Sequence, residues 1–121
     1  MAKILVIDDV EAHRMIVAEI MRSEGHEVIE AGDGIEGESL VDTVEPQLLI
    51  TDIFMPGKDG IELIMSIKKK KPDLKVIAVS GGDAQGHQGS LDMSGFLGAD
   101  AKMKKPISPE ELITLVNNLL E

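Results

Sequence analysis

Short runs of aliphatic residues alternate with longer amphipathic stretches along the whole chain, and this alternation constrains the fold more than any other feature. Ile4-Leu5-Val6-Ile7, Leu48-Leu49-Ile50 and Val76-Ile77-Ala78-Val79 are unbroken apolar runs, the pattern of strands buried on both faces of a parallel sheet. Glu27-Val28-Ile29, just after Gly25, is shorter and reads as an outer strand. Ala99-Asp100-Ala101-Lys102-Met103 is polar enough to form the opposite edge. Between these runs, Ala12, Met15, Ile16 and Ile20 recur at helical spacing, and Gly25 supplies a C-terminal stop. Ile35, Leu40, Val41 and Val44 predict a second helix ending before Pro46. Asp59 with Glu62 three residues on is a capping box for a third, which turns Ile61, Ile64 and Ile67 inward. The lysines at 68–71, followed by Pro72, complement the dipole at that helix's end and are read as a solvated last turn rather than a binding patch. Gly81, Gly82, Gly86 and Gly89 predict a loop after the fourth strand, with a short helix around residues 91–97. Ser108-Pro109-Glu110-Glu111 is another capping box, opening a final helix that buries Leu112, Leu115, Val116, Leu119 and Leu120. The sum is an α/β chain of (βα)5 form. Right-handed crossovers make it a doubly wound, five-stranded parallel sheet with helices on both faces.

With 121 residues, the chain is expected to form one domain over 1–121 without a linker or repeat. Its 43% hydrophobic content suffices for a core. Twelve basic against 22 acidic residues give a formal charge of −10, which disfavours nucleic acid as a partner. The absence of cysteine removes thiolate chemistry and disulfides. No apolar run approaches the ~18 residues of a membrane span, and the opening apolar run meets Asp8-Asp9 too soon for a secretory signal. No membrane association is expected, and a cytoplasmic location is.

The polar residues with chemical potential cluster at the strand ends. Asp8-Asp9 comes directly after the first strand, Asp52 ends the third, Ser80 comes after the fourth, and Lys105 lies past the fifth. Ligands of open α/β sheets bind beyond the carboxyl ends of the strands, where the strand order reverses. For the order 2-1-3-4-5, that point lies between strands one and three, so Asp8, Asp9 and Asp52 would share one crevice. Two carboxylates ~5 Å apart repel by about 3 kcal/mol at an effective dielectric near 20. Such a cluster protonates or binds a cation, and its hard oxygen donors suit Mg²⁺ or Mn²⁺. Capping of the first helix is the competing role for Asp8 and Asp9, but it accounts for neither Asp52 nor the doubled acid. A hydroxyl at Ser80 and an ammonium at Lys105 would complete a site for an anionic phosphoryl group, with Asp52 as nucleophile.

Asp8-Asp9, the run Asp52-Ile53-Phe54-Met55-Pro56-Gly57-Lys58-Asp59-Gly60, the Ser80-Gly81 step, and Gly98-Ala99-Asp100 leading to Lys105-Pro106 together resemble the receiver domain of bacterial two-component response regulators. The resemblance covers the whole chain and implies a flavodoxin-like fold and a signalling phosphoacceptor rather than an enzyme. A sensor histidine kinase or histidine phosphotransfer protein would donate its phosphoryl group to Asp52. Asp8, Asp9, Asp52 and the backbone carbonyl of Phe54 would hold the metal, while Ser80 and Lys105 bind phosphoryl oxygens. Donor docking would involve His13, Arg14, Val17 and the Pro106 neighbourhood. Phe54 and Gly82 would flank the path of attacking water and tune the acyl-phosphate lifetime. The chain would act as a monomer or a phosphorylation-dependent dimer on a downstream target, either alone or as part of a longer regulator.

The chain departs from that pattern at Lys102, where receivers usually carry an aromatic residue; it has no Tyr or Trp at all. The familiar swing of an aromatic ring at that strand position therefore cannot operate as usual, and the glycine loop becomes a candidate for that role. His13, His26 and His87 lack metal-ligand spacing and are expected at surface or loop positions, and the seven Met residues are expected to fill the core. Three other functions compete. A haloacid-dehalogenase-like phosphatase would want Asp-x-Asp after strand one, where this chain has Asp8-Asp9-Val10-Glu11. A flavin or nucleotide module would want a phosphate cradle in the same place. A phosphate-independent pseudo-receiver would not need the intact acceptor set.

Overall fold

The computed structural model describes residues 1–53, 60–81 and 98–121. The order of elements is β1 (Lys3–Ile7), α1 (Glu11–Ser23), β2 (Glu27–Ala31), α2 (Gly34–Val44), β3 (Leu48–Asp52), α3 (Gly60–Lys70), β4 (Lys75–Ser80), β5 (Ala101–Lys104) and α4 (Pro109–Leu120). The five strands form one parallel sheet in the order β2-β1-β3-β4-β5, as expected. Phe54, Asp59, Gly82, most of the glycine loop and the short helix expected around 91–97 lie outside the described residues.

The alternation of side chains along each strand divides the core in two. Ile4, Val6, Leu48, Ile50, Ile77 and Val79 face one side, where Val17, Ala18 and Met21 of α1 and Leu112 and Val116 of α4 cover them. Leu5, Ile7, Leu49, Val76 and Ala78 face the other, beneath Val41 of α2 and Leu63, Ile64 and Ile67 of α3. Helices on both faces explain why the three central runs are apolar throughout.

Several boundaries and faces differ from expectation. On α1 the buried residues are Val17, Ala18 and Met21, whereas Met15 and Ile16 are each half exposed. Ile35 is 71% exposed, because α2 turns Gly34, Gly37 and Val41 to the sheet instead. A Cβ on Gly37 would overlap the Ile7 side chain, which would have to shift for α2 to keep this close approach. β2 runs on to Ala31, and β5 starts two residues late. The delay has a local cause. The Asp100 carboxylate accepts the Val76 N–H at 2.8 Å and pairs with Lys68 at 3.1 Å, tying the entry to β5 as a turn. In the lysine run, Lys68 also donates to the Pro72 and Leu74 carbonyls, and Lys70 pairs with Glu38 and Asp42.

The helix ends follow their caps. Ser108 accepts the Glu111 N–H at α4, and Asp33 accepts the Glu36 N–H at α2. α1 ends in a turn with Gly25 at φ 89°, a conformation that favours glycine.

Next to that turn, the half-buried His26 accepts the Ala2 N–H at Nδ1 (3.0 Å), which requires an unprotonated nitrogen. Burial pushes this imidazole below its ordinary pKa of 6.5; the N-terminal charge adds to the effect and Glu24 opposes it. The unfolded chain therefore takes up this proton first as pH falls. The contribution is fully present above the unfolded value and is lost as pH drops through the lower folded one. His26→Asn is expected to be least costly at acidic pH. Urea midpoints for both proteins at about pH 7.5 and 5.5 check this, because a difference between them that ignores pH would contradict it.

Candidate functional site

Parallel pairing aligns the carboxyl ends of β1, β3 and β4 along one edge. Ile7 pairs with Thr51 and Asp52 with Val79, so Asp8, Asp52 and Ser80 emerge side by side. Ser80, expected just after the fourth strand, is its last residue. All three polar side chains are nearly buried, at 5%, 5% and 2% exposure. Asp9 is exposed. The carboxylates of Asp8, Asp9 and Asp52 each present an oxygen within 4.8 Å of the others. Lys105 reaches over from the residue after β5: its Nζ lies 3.1 Å from Asp8 Oδ2, 3.1 Å from Asp52 Oδ2 and 2.9 Å from His13 Nδ1. Backbone bonds hold the elements in register here. Lys105 N–H donates to the Ser80 carbonyl and Ile53 N–H to that of Val79. The Lys105–Pro106 peptide bond is cis.

The start of α1 resolves the competing role for the paired acids. Its N-cap is Val10, which has no side-chain cap; Val10 N–H donates to Asp8 Oδ1 at 2.9 Å. Asp8 thus shapes the turn, but Asp9 does not cap the helix. Arg14 went unrecognised as a support for the site. Its Nη1 donates to the Asp8 carbonyl at 2.7 Å and its Nε pairs with Glu30 on β2. The only sequence signal was a basic residue one turn after the acids. Of the expected docking residues, His13 and Pro106 are exposed, but Val17 is not available to a partner because it is 4% exposed within the core.

Three carboxylates and one ammonium leave two net negative charges at the site, the deficit a divalent cation fills. Clustered hard oxygen donors fit Mg²⁺ or Mn²⁺. A cavity of about 260 Å³ opens beside them, with apolar walls that include Ile16, Val17 and Ile107.

Gly60 places α3 directly against the end of β3. A Cβ there would overlap Ile53 Cα and come within 2.5 Å of the Asp52 carbonyl oxygen. Gly60→Ala is expected to cost about 3 kcal/mol, because the obstruction is backbone and cannot rotate away. Urea unfolding measures it, and a cost below about 0.5 kcal/mol would show that α3 shifts freely.

A parallel sheet with strand order 2-1-3-4-5 and an acidic cluster at its carboxyl edge, beside the point where that order reverses, defines a class of α/β proteins that bind ligands there. The sequence model of the response regulator receiver domain matches residues 4–117, and the chain belongs to that family. It is 30% identical over 118 residues to sporulation initiation phosphotransferase F of Bacillus subtilis, covering 98% of this chain and 93% of that one. It is 32% identical to the alkaline phosphatase synthesis transcriptional regulatory protein PhoP of the same organism, spanning 48% of that protein. The crystal structure of the receiver domain of NtrX from Brucella abortus superposes with a TM-score of 0.90 at 33% identity, covering 97% of both chains. The chain is therefore similar to nearly the whole of some relatives and to about half of others. The resemblance read from the sequence is correct, and the relatives are signalling regulators. Among the described residues no helix is long and apolar enough to cross a membrane.

Proposed function

We propose that residues 1–121 form a single receiver domain that accepts a phosphoryl group on Asp52 from a phosphohistidine. The observation that carries this reading is the nearly buried Asp52 carboxylate, 3.1 Å from the Lys105 ammonium and clustered with Asp8 and Asp9. A carboxylate oxygen of Asp52 attacks phosphorus; the P–N bond to the donor histidine breaks, and the imidazole leaves with the electron pair. Lys105, and Ser80 at the end of β4, neutralise and orient the phosphoryl oxygens. Asp8, Asp9 and Asp52, with the Phe54 carbonyl that the family resemblance implies, would hold Mg²⁺ or Mn²⁺, which would offset the charge of the transferring group. The chain accelerates only its own phosphorylation and dephosphorylation, with Phe54 and Gly82 tuning the latter.

In this reading a sensor histidine kinase or phosphotransfer protein supplies the phosphoryl group, and a downstream target or linked output domain reads the result, in the cytoplasm. The chain is a monomer or dimerises when phosphorylated. Neither the phosphatase nor the pseudo-receiver alternative is favoured, since the chain belongs to the receiver family and carries Asp8, Asp9, Asp52, Ser80 and Lys105 together. The test is intact mass after incubation with Mg²⁺ and acetyl phosphate. One phosphoryl adduct, prevented by prior chelation, is expected; a folded, metal-loaded protein that stays unlabelled by this donor and by cognate kinases would refute the reading.

A further inference from the structure

Lys105 has a third acceptor that the two carboxylates do not account for. Its Nζ lies 2.9 Å from His13 Nδ1, besides 3.1 Å from Asp8 Oδ2 and 3.1 Å from Asp52 Oδ2. An ammonium carries three donors and no lone pair, so these acceptors match its protons one for one. Because the ammonium cannot accept, Nδ1 must, and the neutral ring carries its proton on Nε2. His13 stands in the first turn of α1, and the next residue, Arg14, fastens that turn to the Asp8 carbonyl and to Glu30. The imidazole is therefore fixed relative to the same acidic loop that supplies Asp8.

We propose that His13 is a positioning residue for phosphoryl transfer, holding the Lys105 ammonium over Asp52; this rests on the phosphoacceptor reading above. A lysine has a flexible four-carbon stem, and here it borders an open cavity of about 260 Å³. Two carboxylates on one side leave the ammonium free to tilt about them, whereas a third acceptor on α1 fixes its position. When Asp52 takes the phosphoryl group, the lysine exchanges a carboxylate oxygen for phosphoryl oxygens. Asp8 and His13 retain it at the site during that exchange.

His13 is also exposed on the helix where a protein donor would dock, so the test uses acetyl phosphate, which needs no docking surface. Initial labelling rates are measured by intact mass for the wild type, His13→Leu, His13→Ala and His13→Asn, beside thermal melts of each. The Leu and Ala variants are expected to label about fivefold more slowly, the effect of losing one partly exposed charge-assisted hydrogen bond, with unchanged melts. Asn offers an oxygen near the place of Nδ1 and is expected to restore most of the rate. Leu and Ala variants as fast as the wild type would overturn the proposal, because His13 would then serve docking alone. An Asn variant as slow as Leu would also overturn it. A folded wild type that neither acetyl phosphate nor cognate kinases label would overturn the phosphoacceptor reading itself, and the inference with it.

Discussion

Asp52→Asn is expected to abolish the phosphoryl adduct while leaving the fold intact. An amide lacks the anionic oxygen needed to attack phosphorus, and in the proposed reading Asp52, at the end of the central strand β3, is the acid that attacks. The change is isosteric, and two electrostatic effects oppose each other. Removing one of three clustered carboxylates relieves repulsion of about 3 kcal/mol per close pair at an effective dielectric near 20. It also deprives Lys105 of one of its two anionic partners, a loss of similar size. The net effect on stability is expected within about 1 kcal/mol, so unfolding would not explain the lost labelling. Intact mass and urea unfolding on the same preparation check both statements. An adduct retained at wild-type level would place the acceptor elsewhere.

That Asp8, Asp52 and Ser80 could be placed together from the sequence reflects how parallel sheets are built. Residues at the carboxyl ends of adjacent strands must lie together whatever their separation in sequence, so Asp8, Asp52 and Ser80 were legible once the strand order was assumed. The strands were legible for a related reason: helices on both faces leave no polar alternation to confuse the reading. Helix faces were less so. Ala12, Met15, Ile16 and Ile20 satisfy a helical period as well as Val17, Ala18 and Met21 do, and only the docking of α1 on the sheet chooses between them. Ile16 is left beside the cavity instead, half exposed. The contact between His13 and Lys105 spans 92 residues and joins two side chains with no shared motif, so no spacing rule could find it. Arg14 was hidden for the same reason, since its partners are a backbone carbonyl and an acid on another strand. Lys102, where the sequence reading expected an aromatic residue, is exposed on β5, so strand five itself offers no ring at that position.

Lys105→Ala is expected to lower labelling about 100-fold, the scale for losing one donor aimed at developing oxyanion charge. Its effect on stability is also expected to be large, and to depend on metal. In metal-free buffer the substitution leaves two carboxylates, with side chains only 7% and 5% exposed, without their shared cation. A buried ion pair is often worth little against an apolar substitute, but removing one partner alone is costly because the other charge stays buried. The cost is expected near 3 kcal/mol, a fall of roughly 10 °C in Tm for a chain of this size. A divalent cation narrows that difference. In the wild type it must compete with Lys105 for the oxygens of Asp8 and Asp52; in the variant it meets no such competitor. Mg²⁺ should therefore bind the variant more tightly and raise its Tm by more than it raises that of the wild type. Melts with and without Mg²⁺ on both proteins read out the prediction. If the Mg²⁺-induced shift were equal in the two, Lys105 and the metal would not be sharing the same carboxylate oxygens, and the site would have to be redrawn with the cation held chiefly by Asp9 and the solvent-facing edge of the cluster.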